Sequence, residues 1–155
     1  MRLEFFEMID RVEEFDAAKG YLRAISNVPD KSPVFEGHFP TYPILPGVML
    51  LETMTHASGW LHLGLNGLTR LPLFVAIKKG KLRRIVTPGT VLESHAHLLH
   101  AGSGFSVTAA ELRIDGESIA DAEITMSLVP FATPELGAEV KRRAVNNGLA
   151  AFIGA

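Results

Sequence analysis

Apolar runs and polar breaks divide the chain into short strands arranged around one long apolar helix. Leu3–Val12 and Tyr21–Val28 read as two strands joined through the polar stretch Glu13–Gly20. Pro29–Leu45 is irregular, and Pro40, Pro43 and Pro46 recur at every third position. Each proline holds its own φ and pushes the preceding residue toward extended geometry, so a stiff strap is expected here. Pro46 stands where a helix can start, because a missing N–H costs nothing at the first helical position. From Gly47 to about Asn66 the helix is apolar almost all round (Val48, Met49, Leu50, Leu51, Met54, Ala57, Trp60, Leu61, Leu63), the profile of a buried element. Asn66-Gly67 ends it.

Four strand-like runs follow: Leu71–Arg84, Thr90–His100, Gly104–Asp115 and Glu117–Val129. Pro88-Gly89, Ala101–Ser103 and Asp115-Gly116 mark the turns between them. Two strands, a buried helix and a four-strand meander predict an α+β fold in which one antiparallel sheet wraps the helix. Residues 134–155, opening at Pro134, are expected to form a helical extension appended to a domain of residues 1–133.

Composition narrows the function. A chain of 155 residues with 47% hydrophobic content suits one well-buried domain. A formal net charge of −2 gives no reason to expect nucleic acid as a partner. The absence of cysteine excludes disulfides, thiolate metal sites and a cysteine nucleophile. Thr53–Thr69 lacks Asp, Glu, Lys and Arg, but its two histidines and its glycines mark a buried helix and not a membrane span. Glu4 and Glu7 interrupt the only apolar start, so no signal peptide is expected and the cytoplasm is the expected compartment.

Three residues invite chemistry. Glu52 projects from the apolar helix, where an unpaired carboxylate is costly and acquires either a raised pKa or a partner. A structural glutamate satisfied by the backbone or by His56 is the competing reading. His38 lies in the proline strap, fourteen positions before Glu52. Alone it is an ordinary loop histidine, but the strap carries it directly into the helix bearing the acid. Gly47 opens that helix, where free N–H groups and the positive end of the dipole can polarise a carbonyl oxygen. Equally, Gly47 can serve only to let the helix pack tightly on the strap.

The runs Phe35-Glu36-Gly37-His38-Phe39-Pro40 and Pro43-Ile44-Leu45-Pro46-Gly47-Val48, with Glu52, resemble the signature of the FabZ-type (3R)-3-hydroxyacyl-(acyl-carrier-protein) dehydratases. The resemblance extends through Tyr21–Val28 and Arg83–Gly89 and covers roughly Met8 to Val129. The related dehydratase-isomerase branch carries Cys after the glycine and Asp as the acid, where this chain has Val48 and Glu52. The resemblance implies a hot-dog fold, five to six antiparallel strands around a central helix. It implies dehydration of (3R)-3-hydroxyacyl-ACP to trans-2-enoyl-ACP in fatty-acid or lipid biosynthesis, without metal or cofactor. His38 would take the α-proton, the Gly47 N–H would hold the thioester oxygen, and Glu52, with a raised pKa, would protonate the leaving β-hydroxyl. It also implies a homodimer in which each site takes its His and Glu from different subunits, extending to a trimer of dimers.

The chain departs from the family pattern at Thr53-Met54-Thr55-His56, where Ala-Met-Ala-Gln is usual. His56, one turn past Glu52, can orient the carboxylate or, when protonated, lower its pKa. The helical segment that commonly precedes the family's first strand has no counterpart, so residues 134–155, with their apolar end Leu149–Ile153, become a candidate for the tunnel mouth. Trp60, Phe74 and Phe105 are candidates for its floor. Lys78, Lys79, Lys81, Arg83 and Arg84 form a run without an acid. The run is either a solvated strand edge or a docking patch for acyl carrier protein bearing its phosphopantetheine-linked substrate; Lys141-Arg142-Arg143 is a candidate extension. Among His95, His97 and His100, the first two share a strand face and the third is expected opposite, so no metal site is assigned. An acyl-thioesterase, with its carboxylate on the central helix, and a non-catalytic acyl-carrier-binding subunit remain as alternatives.

Overall fold

The computed structural model describes Met1–Ala155. Six strands, β1 (Arg11–Asp16), β2 (Tyr21–Asn27), β3 (Arg70–Leu82), β4 (Val91–Gly102), β5 (Phe105–Ile114) and β6 (Glu117–Pro130), form one sheet. Their order is β1-β2-β4-β5-β6-β3 and every pairing is antiparallel. Helix α1 (Pro33–Gly37) lies in the strap, and α2 (Gly47–Leu65) runs across the inner face of the sheet. Helices α3 (Pro134–Asn146) and α4 (Leu149–Ile153) close the chain. No helix is long and apolar enough to cross a membrane.

Alternation builds the sheet. Ser106, Thr108, Ala110 and Leu112 of β5 point inward and are buried, whereas the residues between them are partly exposed. The β4–β5 and β5–β6 hairpins turn on Ser103-Gly104 and Asp115-Gly116, all four residues having positive φ. That is the two-residue geometry matching the twist of antiparallel strands. It places the first turn one residue later than the sequence reading, because Gly104 tolerates the second left-handed position.

Facing the sheet, Leu50, Met54, Ala57 and Leu61 of α2 are 0–2% exposed. They pack among Leu22, Leu92, Ala96, Leu112, Ile124 and Met126, and each fully buried Leu or Met contributes roughly 1.5–3 kcal/mol. Gly64 lets β1 approach: a Cβ there would lie 2.6 Å from the Phe15 ring. Thr133 caps α3 by accepting the Leu136 N–H at 3.2 Å. Helices α3 and α4 then bury Val140, Ala144, Leu149 and Ala150 over the C-terminal half of α2.

The first strand is displaced from its expected place. Leu3–Phe5 is a single 3-10 turn, Phe6 has φ 52°, and the chain folds back so that Arg2 and Glu7 exchange backbone hydrogen bonds. β1 instead runs through the polar residues expected as a connection, because Glu13 and Glu14 lie on its partly solvated side beside Arg23. A β-bulge between Leu98 and His100 pairs His100 with Val107, bringing it to the same outer face as His95 and His97, contrary to expectation. His95 is occupied there by Tyr21 Oη at 2.8 Å and by Glu93 at 2.6 Å, and no three His, Asp or Glu side chains are placed to hold one metal ion.

Candidate active site

The strap is pinned at both ends of His38. Ser32 caps α1, whose C-terminal cap is His38 itself, its N–H donating to Val34 C=O at 3.1 Å. The His38 carbonyl accepts the Ile44 N–H at 3.0 Å, and Leu45 N–H donates to Val86 C=O at 2.7 Å. His38 Nδ1 lies 3.2 Å from the Ile44 carbonyl, which has only acceptor capacity. A proton on Nδ1 therefore completes the contact, and Nε2 is left with the free lone pair a base needs. Phe39 stacks on the imidazole at 4.4 Å between centroids, and the ring remains half-buried.

The strap delivers Pro46 as the N-terminal cap of α2. The Gly47 and Val48 N–H groups have no acceptor, so both are free at the positive end of the helix. A Cβ on Gly47 would meet Leu82 Cδ1 at 2.8 Å, so packing and access both favour glycine. The adjoining cleft, about 300 Å³, is walled by Leu45, Leu50, Leu82 and Ile85.

Glu52 faces away from the sheet, with its side chain 36% exposed. His56 Nε2 lies 3.0 Å from Glu52 Oε1, one turn along the helix. That hydrogen bond holds the Glu52 carboxyl below its usual range despite partial burial, which acts in the opposite direction. The raised pKa expected from the sequence is thus not found, because His56 supplies the partner that an unpaired carboxylate lacks. Thr53 and Thr55 donate their hydroxyls to the carbonyls of Met49 and Leu51, so both threonines are satisfied within the helix.

A second cavity of about 300 Å³ begins at Glu52 and follows α2 past His56, Gly59 and Trp60, with Phe74 and Met126 opposite. Phe105 is 51% exposed and does not line it, unlike the expected floor residues Trp60 and Phe74. Val140 and Arg143 of α3 do line it. The sequence offered a signal for Trp60, at the i, i+4, i+8 spacing from Glu52 and His56, and none for the two α3 residues. None of the five main cavities holds both His38 and Glu52.

All five residues of the basic run are exposed at the end of β3 and just beyond it. β6 supplies the acids that the run lacks: Lys79 pairs with Glu123, Arg83 with Asp121 and Arg84 with Glu117, leaving Lys78 and Lys81 without a carboxylate. Arg142 and Arg143 do not extend this patch, since Glu139 holds both beside the N-terminal turn.

A carboxylate on a helix wrapped by an antiparallel sheet, with a histidine strap leading into its N-terminus, defines a hot-dog protein. Solved structures agree on the fold. A thioesterase from Haemophilus influenzae superposes with TM-score 0.59 at 13% identity, covering 79% of this chain and 80% of that one. AziG from S. sahachiroi gives TM-score 0.64 at 16% identity, covering 83% and 96%. The family described as FabA-like domain matches residues 2–123. The 3-hydroxyacyl-(acyl-carrier-protein) dehydratase FabZ of Shewanella frigidimarina is 37% identical over 123 residues, 77% of this chain and 80% of the relative. The protein of the same name from Syntrophotalea carbinolica is 34% identical over 127 residues, 81% and 86%. The chain belongs to the FabZ dehydratases of the FabA-like family.

Proposed function

We propose that the protein removes water from a 3-hydroxyacyl thioester carried on acyl carrier protein, with His38 as base, Glu52 as acid and the Gly47 N–H as the oxyanion donor. The observation that carries these roles is the pairing of a histidine whose Nε2 is free with a helix whose first N–H groups are free. Removing a proton α to a thioester places charge on the carbonyl oxygen, and a donor aimed at that oxygen lowers the barrier. His38 Nε2 accepts the α-proton, and Glu52 gives a proton to the departing β-hydroxyl, which leaves as water. A thioesterase has no need of the His38 strap, so the family relationship and this histidine together favour dehydration.

Glu52 must hold a proton to act as an acid, whereas in a single chain His56 favours its ionised form. A second chain across the open face of α2 would exclude water and push the carboxyl upward. The reading therefore includes a homodimer in which His38 of one subunit meets Glu52 of the other. Its support is the unpaired edge of β3, where Leu73, Phe74 and Val75 are 46–53% exposed, together with Val48 of α2 at 72%. A trimer of dimers is the larger assembly within this proposal.

Residues 1–133 are taken as the catalytic domain and 134–155 as an extension completing the acyl cavity through Val140 and Arg143. Lys78 and Lys81, the unpaired members of the basic run, are assigned to docking the acidic carrier protein, in the cytoplasm. Incubation with a 3-hydroxyacyl thioester on carrier protein, with products followed by mass, tests the proposal. Loss of 18 Da (about one water) that disappears in His38→Ala and Glu52→Gln supports it. Release of free acid makes the protein a thioesterase, and no turnover at any chain length makes it a binding subunit.

A further inference from the structure

Beyond the Glu52 cavity lies a polar one of about 190 Å³, a half-open cleft between the N-terminal turn, α2 and the C-terminal helices. His56, Trp60 and Arg143 line both, so these three side chains are the wall between them. Glu52, His56 and Trp60 lie on one face of α2, and the helix rise puts Trp60 about 12 Å beyond Glu52 along the axis. The wall begins at His56, bonded to Glu52, and an acyl chain held at Glu52 and running along this face meets its Trp60 part at the far end.

The polar cavity is furnished with donors. Asn147 is 5% exposed, and its Oδ1 is used, accepting the Leu149 N–H at 3.1 Å. Its Nδ2 is buried with no acceptor, a cost that a bound oxygen would remove. Arg2, Arg142 and Arg143 add three guanidiniums to the lining; Glu7 pairs with Arg2 and Glu139 holds Arg142 and Arg143, and since each guanidinium carries five N–H donors, further donors remain on all three. Asp10 is already engaged, accepting the backbone N–H of Asn27 at 2.6 Å and its Nδ2 at 3.0 Å. A hydrocarbon end gains nothing from such a lining, whereas a carboxylate satisfies Asn147 and gains charge-assisted bonds from arginine.

We propose that this cavity receives the far end of the acyl chain and selects substrates whose tail ends in a carboxylate. The inference rests on the dehydratase reading and specifies its substrate class. The test compares two 3-hydroxyacyl thioesters of equal length on carrier protein, one ending in methyl and one in carboxylate, along a ladder of lengths. At the length that reaches past Trp60, kcat/KM is expected to favour the carboxylate end by at least about tenfold. Asn147→Asp keeps the Oδ1 that caps Leu149 but replaces the donor with a negative charge, and it should abolish that preference. Arg143→Gln should reduce it.

Equal or methyl-favoring rates at every length would overturn the proposal, as would a preference indifferent to Asn147→Asp. Calorimetric binding of the same thioesters to His38→Ala reads the tail without turnover. No dehydration by the wild type, with an Asn147-dependent binding preference retained, sinks the dehydratase reading and supports the cavity. Dehydration with no binding preference sinks the cavity alone. Acetate that stabilises the wild type but not Asn147→Asp, with no tail preference, would assign the cavity to free small anions and also overturn the proposal.

Discussion

The two faces of α2 were built for different ends. Toward the sheet, Leu50, Met54, Ala57 and Leu61 are sealed, and even Thr53 and Ser58 are fully buried. On the open face Val48 is 72% exposed, Glu52 and His56 remain reachable, and the free N–H of Gly47 awaits an acceptor. The sheet wraps only half of the helix. Stability is concentrated on the sealed face and the proposed chemistry on the open one, so substitutions on the two faces should separate in what they change.

The largest effects belong to the open face. His38→Ala and Glu52→Gln should each lower kcat by about 10²–10⁴-fold, as removal of a general base or acid does. Neither should shift the thermal midpoint appreciably, because neither side chain packs in the core. A midpoint lowered by many degrees would blur the division. Leu61→Ala is the converse: it should cost about 2–5 kcal/mol in urea unfolding while the assembled enzyme keeps its kcat.

His62 sharpens the contrast from the sealed side. It is 2% exposed, its Nδ1 lies 3.5 Å from Ser106 Oγ, and its Nε2 has no partner. Burial lowers its pKa from 6.5 to about 4, so it stays neutral in the fold while the unfolded chain takes up a proton below 6.5. Stability should therefore fall as pH drops from 6.5 to 4, by up to about 3 kcal/mol, with His62→Leu flattening the slope. A slope unchanged in that variant would move the effect elsewhere.

The smallest effect is expected at His56. Its hydrogen bond lowers the Glu52 pKa, so His56→Gln should raise it. Because the acid works protonated, the high-pH limb of kcat/KM should move to higher pH. A limb that stays put, or moves the other way, would remove either His56 as the modulator or Glu52 as the acid.

Much of this was legible in the chain. The helix Gly47–Leu65 differs from its reading by about one residue, since Pro46 and Asn66-Gly67 set its ends by local chemistry. His38, Gly47 and Glu52 stood out because proline spacing and an acid on an apolar helix are local signals. The first strand did not, because Phe5-Phe6 and the left-handed Phe6 turn the chain back where hydrophobic content alone suggested extension. Neither did the acids of β6 that neutralise much of the basic run, nor Val140 and Arg143 beside the Glu52 cavity. These depend on strand order and helix docking, which bring together residues some 35–90 positions apart, and no local period records that.

The central claim is that an active site is completed across two chains, and mixing inactive variants tests it most directly. His38→Ala and Glu52→Gln homodimers should each be inactive. Unfolding and refolding them together in equal amounts should restore about a quarter of wild-type activity, since half the dimers are mixed and each carries one intact pair. Activity that stays at the level of the separate variants, with mixed dimers demonstrably formed, would contradict the shared site.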